Sequence, residues 1–322
     1  MSEPAAPFAF DGRAIPSAAA ESSWRAGDGH VIRRIDWAPP PGQMPKGALL
    51  FAPGRGDCYE KYLCVLDEWH RQGWSVTAKD WRGQALSGRT GFDARTGHID
   101  DFASWVADFE QFWREWRDTV PGPHICVGHS MGGHILLRAV AERRVRPDAL
   151  VLVAPMLGLN PGWMPTKILL PLSRAIAQLG DPRRPAWRDS ELPFSTAGAR
   201  MALLTHDERF YADEEWWRKE RPELGMGPAS WGWIAAALNS IAGLERPGVL
   251  EAIEVPVLIL GTSADRLVSW PAIRRAAARL PRGELVAFGR EARHELLREA
   301  PPVRTRAMAE IMDFIDRSVR TS

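Results

Sequence analysis

The chain has 322 residues, of which 45% are hydrophobic, and a formal net charge of +1 at pH 7. This length and apolar content are sufficient for one large domain with a buried core, and they argue against global disorder. The nearly neutral charge gives no electrostatic basis for binding nucleic acid, which usually requires a clustered excess of basic residues.

The sequence shows no pattern of a membrane span, a secretion signal or a metal site. No apolar run approaches the ~18 residues that a spanning helix needs. The N-terminal segment lacks a basic start followed by an apolar stretch. The three cysteines, Cys58, Cys64 and Cys126, have no metal-ligand spacing and are typical of buried thiols in a reducing compartment. We therefore expect a cytoplasmic protein that needs no cofactor or metal.

Apolar runs alternate with helical patterns along most of the chain. Short apolar runs predict strands over residues 47–52, 74–78, 124–128, 149–154, 255–261 and 284–288. Apolar residues at helical spacing predict helices over residues 59–72, 100–117, 131–144 and 303–319. Strands that are apolar throughout and alternate with helices are typical of a parallel sheet covered on both faces. The sequence therefore predicts an α/β fold.

This alternation is interrupted once, between two predicted strands. Residues 155–243 contain helical pieces, many prolines and six tryptophans, but no clear strand. An insertion of this length predicts a helical cap over the carboxyl edge of the sheet. We accordingly divide the chain into a loose leader, a first part of the core, the cap and a second part of the core, at residues 1–21, 22–154, 155–243 and 244–322.

A serine lies between two glycines where a predicted strand meets a predicted helix. Residues 128–132 read GHSMG, which has the form G-x-S-x-G. This form is typical of a nucleophile elbow, a turn so sharp that the residues two positions from the serine must be small. The serine would then lie at the N-terminal end of a helix, where backbone N–H groups favour a developing negative charge. The alternative is a strand-to-helix turn without a chemical role. The presence or absence of a base and a carboxylate for Ser130 distinguishes the two interpretations.

Two later residues provide those partners. A serine nucleophile needs a base, and the base needs an orienting carboxylate. In this architecture the chain order is serine, acid, histidine, with the last two in loops after later strands. Asp265, in GTSADRLV, and His294, in GREARHELL, follow predicted strands in that order. Each alone has an ordinary explanation, a turn aspartate or a histidine at a helix start, but together with Ser130 they predict a catalytic triad.

Acyl transfer also requires an oxyanion hole made by two N–H groups. One should belong to the residue after the nucleophile, which is Met131. The other should come from the loop after an early strand, and Pro53-Gly54-Arg55-Gly56 follows the strand predicted at residues 47–52. We expect Arg55 to be the second donor, with its two glycine neighbours as alternatives.

Five motifs resemble the α/β-hydrolases of the monoacylglycerol lipase and lysophospholipase group: FAPGRGDCYEKY, AKDWRGQALSGR, VGHSMGGH, GTSADRLVS and ARHELLRE. The resemblance extends over residues 28–317. It implies a serine hydrolase with a helical cap and no cofactor, acting on carboxylic esters of lipids. It also implies the same assignment of the site: nucleophile Ser130, acid Asp265, base His294 and oxyanion donors Arg55 and Met131.

Two positions depart from the pattern of that group. Many members have His-Gly where this chain has Pro53-Gly54, and many have a second glycine where this chain has Ala85. Neither position takes part directly in the chemistry. The choice of substrate stays open, because the cap diverges freely and carries most of that choice.

Three further functions compete with a lipid ester hydrolase. A peptidase or amidase of the same fold would need an acidic pocket for a free amine, and the mixed charges of the cap show none. A ligand-binding module without activity is disfavoured by the complete triad. Epoxide hydrolase or dehalogenase chemistry would need an aspartate at the elbow, where this chain has Ser130.

Residues 164–179, MPTKILLPLSRAIAQL, predict a cap helix with one apolar side. That side comprises Ile168, Leu169, Leu172, Ile176 and Leu179. We expect Pro171 to kink or split the helix. The apolar side either packs on the core or, with Trp163, Trp231 and Trp233, borders an acyl-chain tunnel or touches a lipid surface. The expected partners are therefore a small-molecule or lipid ester and, transiently, a membrane surface.

Overall fold

The computed structural model describes residues 10–39, 42–160, 166–188 and 197–320. These residues form eight strands: β1 (Ala19–Arg25), β2 (Val31–Trp37), β3 (Ala48–Ala52), β4 (Ser75–Lys79), β5 (His124–His129), β6 (Ala149–Val153), β7 (Val257–Thr262) and β8 (Gly283–Phe288). They also form nine α-helices: α1 (Leu63–Arg71), α2 (Phe102–Arg117), α3 (Met131–Ala141), α4 (Thr166–Gln178), α5 (Ala197–Leu204), α6 (Glu208–Glu220), α7 (Trp231–Leu244), α8 (Trp270–Arg279) and α9 (Pro301–Arg320).

The strands form one sheet in the order β1-β2-β4-β3-β5-β6-β7-β8. β2 is antiparallel to both of its neighbours, whereas every pair from β4 to β8 is parallel. Because parallel strands end at the same edge, the loops after β3, β5, β6, β7 and β8 meet at one edge of the sheet. The prediction of an α/β fold with a mostly parallel sheet is confirmed.

The central strands are buried on both faces, which explains why they are apolar throughout. In β3, Leu50 belongs to a buried cluster that includes side chains of α2, α3 and α8, whereas Leu49 and Phe51 belong to a second cluster that includes side chains of α1 and α9. Successive residues of a strand point to opposite faces, so both faces of a strand with helices on both sides favour apolar residues, although β4 also buries Ser75, Thr77 and Lys79. All six strands predicted from the sequence are present, with bounds that differ by one or two residues.

Three elements were not predicted. β1 and β2 form the antiparallel edge of the sheet, where five residues of β1 are exposed and only Trp24 is buried. α8 buries only Ala272, Ile273 and Ala276. β1 begins at Ala19, so the last three residues of the segment 1–21, expected as a loose leader, pair with β2. A half-exposed edge strand lacks the continuous apolar run on which the predictions depended.

The insertion between β6 and β7 is helical in its described parts. It contributes α4, α5, α6 and all but the last residue of α7, and its described residues form isolated bridges but no strand. α4 packs against α7, and it continues across Pro171, so of the two expected effects, a kink or a split, the split is wrong. Trp163 and the first two residues of the segment 164–179 lie outside the described residues. The domain boundaries stay a prediction.

Contrary to one expectation for α4, part of its apolar side faces away from the core. Ile168 is 54% exposed, Leu172 45% and Leu179 79%. The helix meets α7 through a different side, where Arg174 donates to the Asn239 side chain. None of the described helices combines the length and the apolar content that crossing a membrane requires.

Candidate active site

Ser130 lies in a strained turn between β5 and α3. Its φ is 50° and its ψ is −115°, in a region that residues with a side chain rarely adopt. A Cβ on Gly128 would lie 2.7 Å from the Gly133 backbone, and one on Gly132 would clash with the carbonyl oxygens of Ala52 and Pro53. Both glycines of the G-x-S-x-G pattern are therefore required by close backbone approach, as expected for an elbow.

Backbone hydrogen bonds fix this turn against the end of β6. The N–H of Ser130 donates to Val153 O at 2.9 Å, and Ser130 O accepts from the N–H of Met156 at 3.0 Å. Met131 is the first residue of α3, a position whose N–H has no acceptor within its own helix. The Ser130 side chain, which is half-buried, thus lies beside an N–H of the kind that can stabilise an oxyanion.

Asp265 and His294 are buried and hydrogen-bonded to each other. Asp265 lies in the loop after β7 and His294 in the loop after β8, and 2.7 Å separates Asp265 Oδ2 from His294 Nδ1. The other oxygen, Asp265 Oδ1, accepts the N–H groups of Leu267 at 2.8 Å and Val268 at 3.0 Å. This anchoring orients the carboxylate toward the imidazole, so Nδ1 is the protonated nitrogen and Nε2 is available for proton transfer.

The environment of this pair shifts both pKa values in favour of the charged forms. Burial raises the pKa of Asp265, but the His294 imidazole and the two backbone donors outweigh it, so the pKa lies below its ordinary value. Burial lowers the pKa of His294, but the Asp265 carboxylate outweighs that, so the pKa lies above its ordinary value. The pair is therefore built to stabilise an imidazolium, the species that a general base becomes.

His129 brings the serine and the histidine loops together. Its ring centroid is 4.8 Å from that of His294, and a Cβ on Gly54 would lie 3.1 Å from both His129 Nδ1 and Ser130 Cβ. No hydrogen bond joins Ser130 to His294 among the residues that the structure describes. Catalytic hydrogen bonds are often formed only when the substrate is bound, so the assignment of the triad remains a proposal.

The loop after β3 contains the expected second oxyanion donor. The N–H of Gly54 donates to Asp57 Oδ2 at 3.1 Å, and that of Gly56 donates to Gln84 Oε1 at 2.7 Å. Both glycine N–H groups therefore have an acceptor in this loop, and Arg55 stays the expected second donor. The Arg55 guanidinium reaches the insertion, where Nη2 donates to Gly227 O at 3.0 Å.

Sequence reasoning missed the polar residues behind His129. Its Nδ1 lies 2.9 Å from Tyr62 Oη and 3.1 Å from Asp57 Oδ2, and all three side chains are buried. Lys61 Nζ donates to Asp57 Oδ1 at 2.5 Å. In the sequence, only the position of Asp57 directly after the loop at residues 53–56 could have indicated that it lies near the site. Within the described ranges, no group of His, Cys, Asp and Glu side chains is arranged to hold a metal ion.

Residues 43–301 match the family model Hydrolase_4, described as serine aminopeptidase, S33. The chain is 29% identical over 293 residues to lysophospholipase L2 of Escherichia coli strain K12, which covers 84% of this chain and 80% of the relative. It is 27% identical over 255 residues to monoacylglycerol lipase of Mycolicibacterium smegmatis, with 79% and 82% covered.

Solved structures show the same fold. A soluble variant of monoglyceride lipase from Saccharomyces cerevisiae, in complex with a substrate analogue, has a TM-score of 0.74 at 18% identity and covers 97% of this chain and 100% of its own. Monoacylglycerol lipase of Paleococcus ferrophilus has a TM-score of 0.68 at 18% identity, with 89% and 99% covered. The resemblance to the monoacylglycerol lipase and lysophospholipase group is confirmed, and the chain belongs to the serine aminopeptidase S33 family of α/β-hydrolases.

Proposed function

We propose that this hydrolase cleaves carboxylic esters of lipids, of the lysophospholipid or monoacylglycerol type, through a Ser-His-Asp triad and an acyl-enzyme. The observation that carries the proposal is the buried 2.7 Å contact between His294 and Asp265, in the loops next to the strained elbow of Ser130. The names of the relatives, a lysophospholipase and a monoacylglycerol lipase, support the class of substrate.

The mechanism follows from the arrangement of these groups. Ser130 Oγ attacks the ester carbonyl while His294 Nε2 accepts its proton, and Asp265 stabilises the resulting imidazolium. The backbone N–H groups of Met131 and Arg55 stabilise the oxyanion of the tetrahedral intermediate. The imidazolium then protonates the departing alcohol, which leaves an acyl-enzyme on Ser130. In the second half-reaction His294 activates water, and the acid is released.

An aminopeptidase is the second candidate, because the family description names that activity. Such an enzyme must bind the free amine of its substrate, which requires an unpaired carboxylate near the serine. Four carboxylates face His294 or its loop, and each is already bonded: Asp265 to the imidazole, Asp57 and Glu295 to Lys61, and Glu299 to His206 and the N–H of Arg293. This pairing favours an ester.

Turnover assays with a nucleophile variant test the proposal. We expect the wild-type enzyme to hydrolyse p-nitrophenyl esters, lysophosphatidylcholine and monoacylglycerol, and not alanine p-nitroanilide. A fluorophosphonate probe should label Ser130. Ser130→Ala should abolish both turnover and labelling, and His294→Ala should lower kcat by several orders of magnitude, since triad members act as a unit. Activity that survives in a folded Ser130→Ala variant would end the assignment of the nucleophile.

The proposal includes contact between α4 and a lipid surface. Its exposed side presents Ile168 and Leu172, and Leu179 directly follows its last residue, so three large apolar side chains are exposed along this segment. Soluble proteins rarely leave a contiguous apolar patch without a role. A helix that lies on a membrane buries such a side in the boundary between headgroups and acyl chains, and lipid esters are presented at that boundary.

A further inference from the structure

A cluster of buried ion pairs connects the insertion to the loop that carries His294. Glu214, on α6, places Oε2 3.1 Å from Arg298 Nη1 and 3.2 Å from Lys61 Nζ. Its other oxygen, Oε1, lies 2.5 Å from Arg200 Nη2 on α5. The side chains of Glu214, Lys61 and Arg298 are nearly inaccessible to solvent. Buried charges of this kind are tolerated only while their partners stay in place.

Lys61 extends the cluster to two sides of the proposed active site. Its Nζ donates to Glu295 Oε1 at 2.7 Å, and Glu295 directly follows His294. The same Nζ donates to Asp57 Oδ1 at 2.5 Å, while Asp57 Oδ2 accepts the N–H of Gly54 at 3.1 Å. One ammonium group therefore joins the loop of the base to the loop of the second oxyanion donor.

Backbone hydrogen bonds join the same parts of the molecule. The N–H of Glu295 donates to Leu204 O, at the end of α5, at 2.9 Å. Thr205 Oγ1 donates to Arg298 O at 2.7 Å. The connection between α5 and α6 is thus held directly against the loop of His294, so the insertion as well as the core determines where that loop lies.

We propose that Glu214 and Lys61 are positioning residues for His294. The proposal rests on the assignment of His294 as the base, made under the proposed function. Both side chains act through Glu295 and Asp57 rather than on the substrate, and together they fix the distance between the base and the oxyanion loop. A displacement of about 1 Å at a reacting group can lower the rate by roughly 100-fold.

The charges around His294 give each substitution a distinct signature. The groups that face His294 or its loop are Asp265, Glu295, Asp57, Glu299, His129, Lys61 and Arg298. Burial lowers the pKa of His294, and the carboxylates of Asp265, Glu295 and Asp57, Asp265 first, raise it above its ordinary value. Lys61→Met removes a cation near these carboxylates and should raise the pKa of His294 further. Glu214→Gln removes an anion and should lower it.

The two variants should therefore be compared with the wild type by kcat, KM and the pH dependence of kcat/KM on p-nitrophenyl butyrate. We expect kcat to fall about 10-fold or more in each, with KM nearly unchanged. The acidic limb of the pH profile should move to higher pH in Lys61→Met and to lower pH in Glu214→Gln. Lys61→Arg should recover most of kcat. Loss of folded protein alone would lower the apparent kcat without moving the limb.

A matched control and a neutral double variant keep the test decisive. Lys79 is equally buried but lies outside the cluster, with Nζ 4.0 Å from the ring of Trp81. Lys79→Met should leave the acidic limb at its wild-type position. If either single variant fails to fold, the double variant Lys61→Met/Glu214→Gln removes one charge of each sign. This double variant should have a lowered kcat, and the acidic limb of its pH profile should lie at the wild-type position. A wild-type kcat in the double variant would overturn the proposal.

Labelling separates failure of this inference from failure of the proposed function. A wild-type enzyme that is neither labelled at Ser130 nor active on esters would refute the proposed function itself. The wild type could instead be labelled and active while Glu214→Gln and Lys61→Met fold and keep the wild-type kcat and the wild-type acidic limb. That result would refute only the positioning role.

Discussion

At the scale of single residues, the backbone of Ser130 shows how the fold holds a strained conformation. A positive φ of 50° costs a serine on the order of 1 kcal/mol or more. The N–H of Ser130 donates to Val153 O, and the carbonyl oxygen of Ser130 accepts the N–H groups of His134 and Met156. Such strain persists where the surrounding structure over-determines it, and it directs the side chain away from the strand to the N-terminal end of α3.

We expect Gly132→Ala to lower kcat by about 100-fold, because the added methyl group must push the elbow away from the carbonyl oxygens of Ala52 and Pro53. The control is Gly243→Ala in α7, where an added Cβ meets nothing within 4 Å. That control should keep the wild-type kcat and stabilise the fold by about 0.5–1 kcal/mol. Steady-state kinetics and thermal unfolding of both variants provide the measurement. A wild-type kcat in Gly132→Ala would contradict the close approach.

The pH dependence of the rate should report the pKa of His294. Its pKa lies above the ordinary 6.5. Because only the neutral imidazole can accept a proton, kcat/KM should rise with pH through a midpoint above that value. Asp265→Asn removes the strongest cause of the increase, so the midpoint should move to lower pH and kcat should fall. A pH–rate profile from pH 5 to 9 checks both shifts, and a midpoint that is unaffected by Asp265→Asn would contradict them.

Residues whose role follows from local pattern could be found in the sequence, and residues whose role depends on tertiary contacts could not. Asp265 and His294 each follow an apolar strand, and the structure brings them into contact. Lys61 and Glu295 are separated by 234 positions, and nothing near either residue marks the other as its partner. Buried ion pairs of this kind depend on the complete fold.

At the scale of elements, the same distinction separates β5 from β1. β5 is buried along most of its length between two helical layers, so its composition alone predicts a strand. β1 alternates weakly, with Trp24 as its one buried side chain, and its pairing with β2 provides what its composition lacks. Interior elements are therefore predictable from hydrophobicity, whereas edge elements depend on the neighbour to which they bond.

α4 provides a test at this scale. We expect the double substitution Ile168→Ser/Leu172→Ser to lower several-fold the fraction of protein that sediments with phosphatidylcholine vesicles. The reason is that each substitution removes about 2 kcal/mol of apolar transfer free energy. Turnover of the water-soluble p-nitrophenyl acetate should stay unchanged. The control is Met44→Ser, at a site 87% exposed and before β3, at the opposite edge of the sheet. Equal sedimentation of the wild type and the double variant would show that α4 does not bind the lipid surface.

At the scale of the whole molecule, the insertion is attached to the core in two chemically different ways. α4 rests on α7, with an apolar side left exposed. α5 and α6 are joined to the core by the buried ion pairs of Glu214 with Lys61 and Arg298. Apolar contacts tolerate sliding, whereas buried ion pairs have a narrow range of favourable geometry. The second half of the insertion is therefore tied to the core through charges, whereas α4 contacts α7 and leaves exposed the apolar side that we propose to meet a lipid surface.

The ion pairs should also make the stability of the molecule depend on pH. Burial raises the pKa of Glu214, but Arg200, Lys61 and their neighbours lower it well below its ordinary 4.5. A carboxyl group with a lowered folded-state pKa stabilises the fold above its unfolded-state pKa, and this stabilisation is lost as the pH falls through the folded-state value.

Glu214→Gln should therefore unfold at a lower temperature than the wild type at pH 7, since breaking a buried pair costs about 3–5 kcal/mol. The difference in Tm should be constant from pH 7 to about pH 5, and it should shrink below the ordinary pKa of 4.5 as the wild-type carboxyl also becomes neutral. Differential scanning calorimetry from pH 7 to pH 3 measures both quantities. A difference in Tm that stays constant down to pH 3 would mean that the charge of Glu214 contributes nothing to it, because a lowered folded-state pKa makes the stabilisation shrink as soon as the unfolded-state carboxyl takes up its proton. A variant as stable as the wild type at pH 7 would contradict the prediction directly.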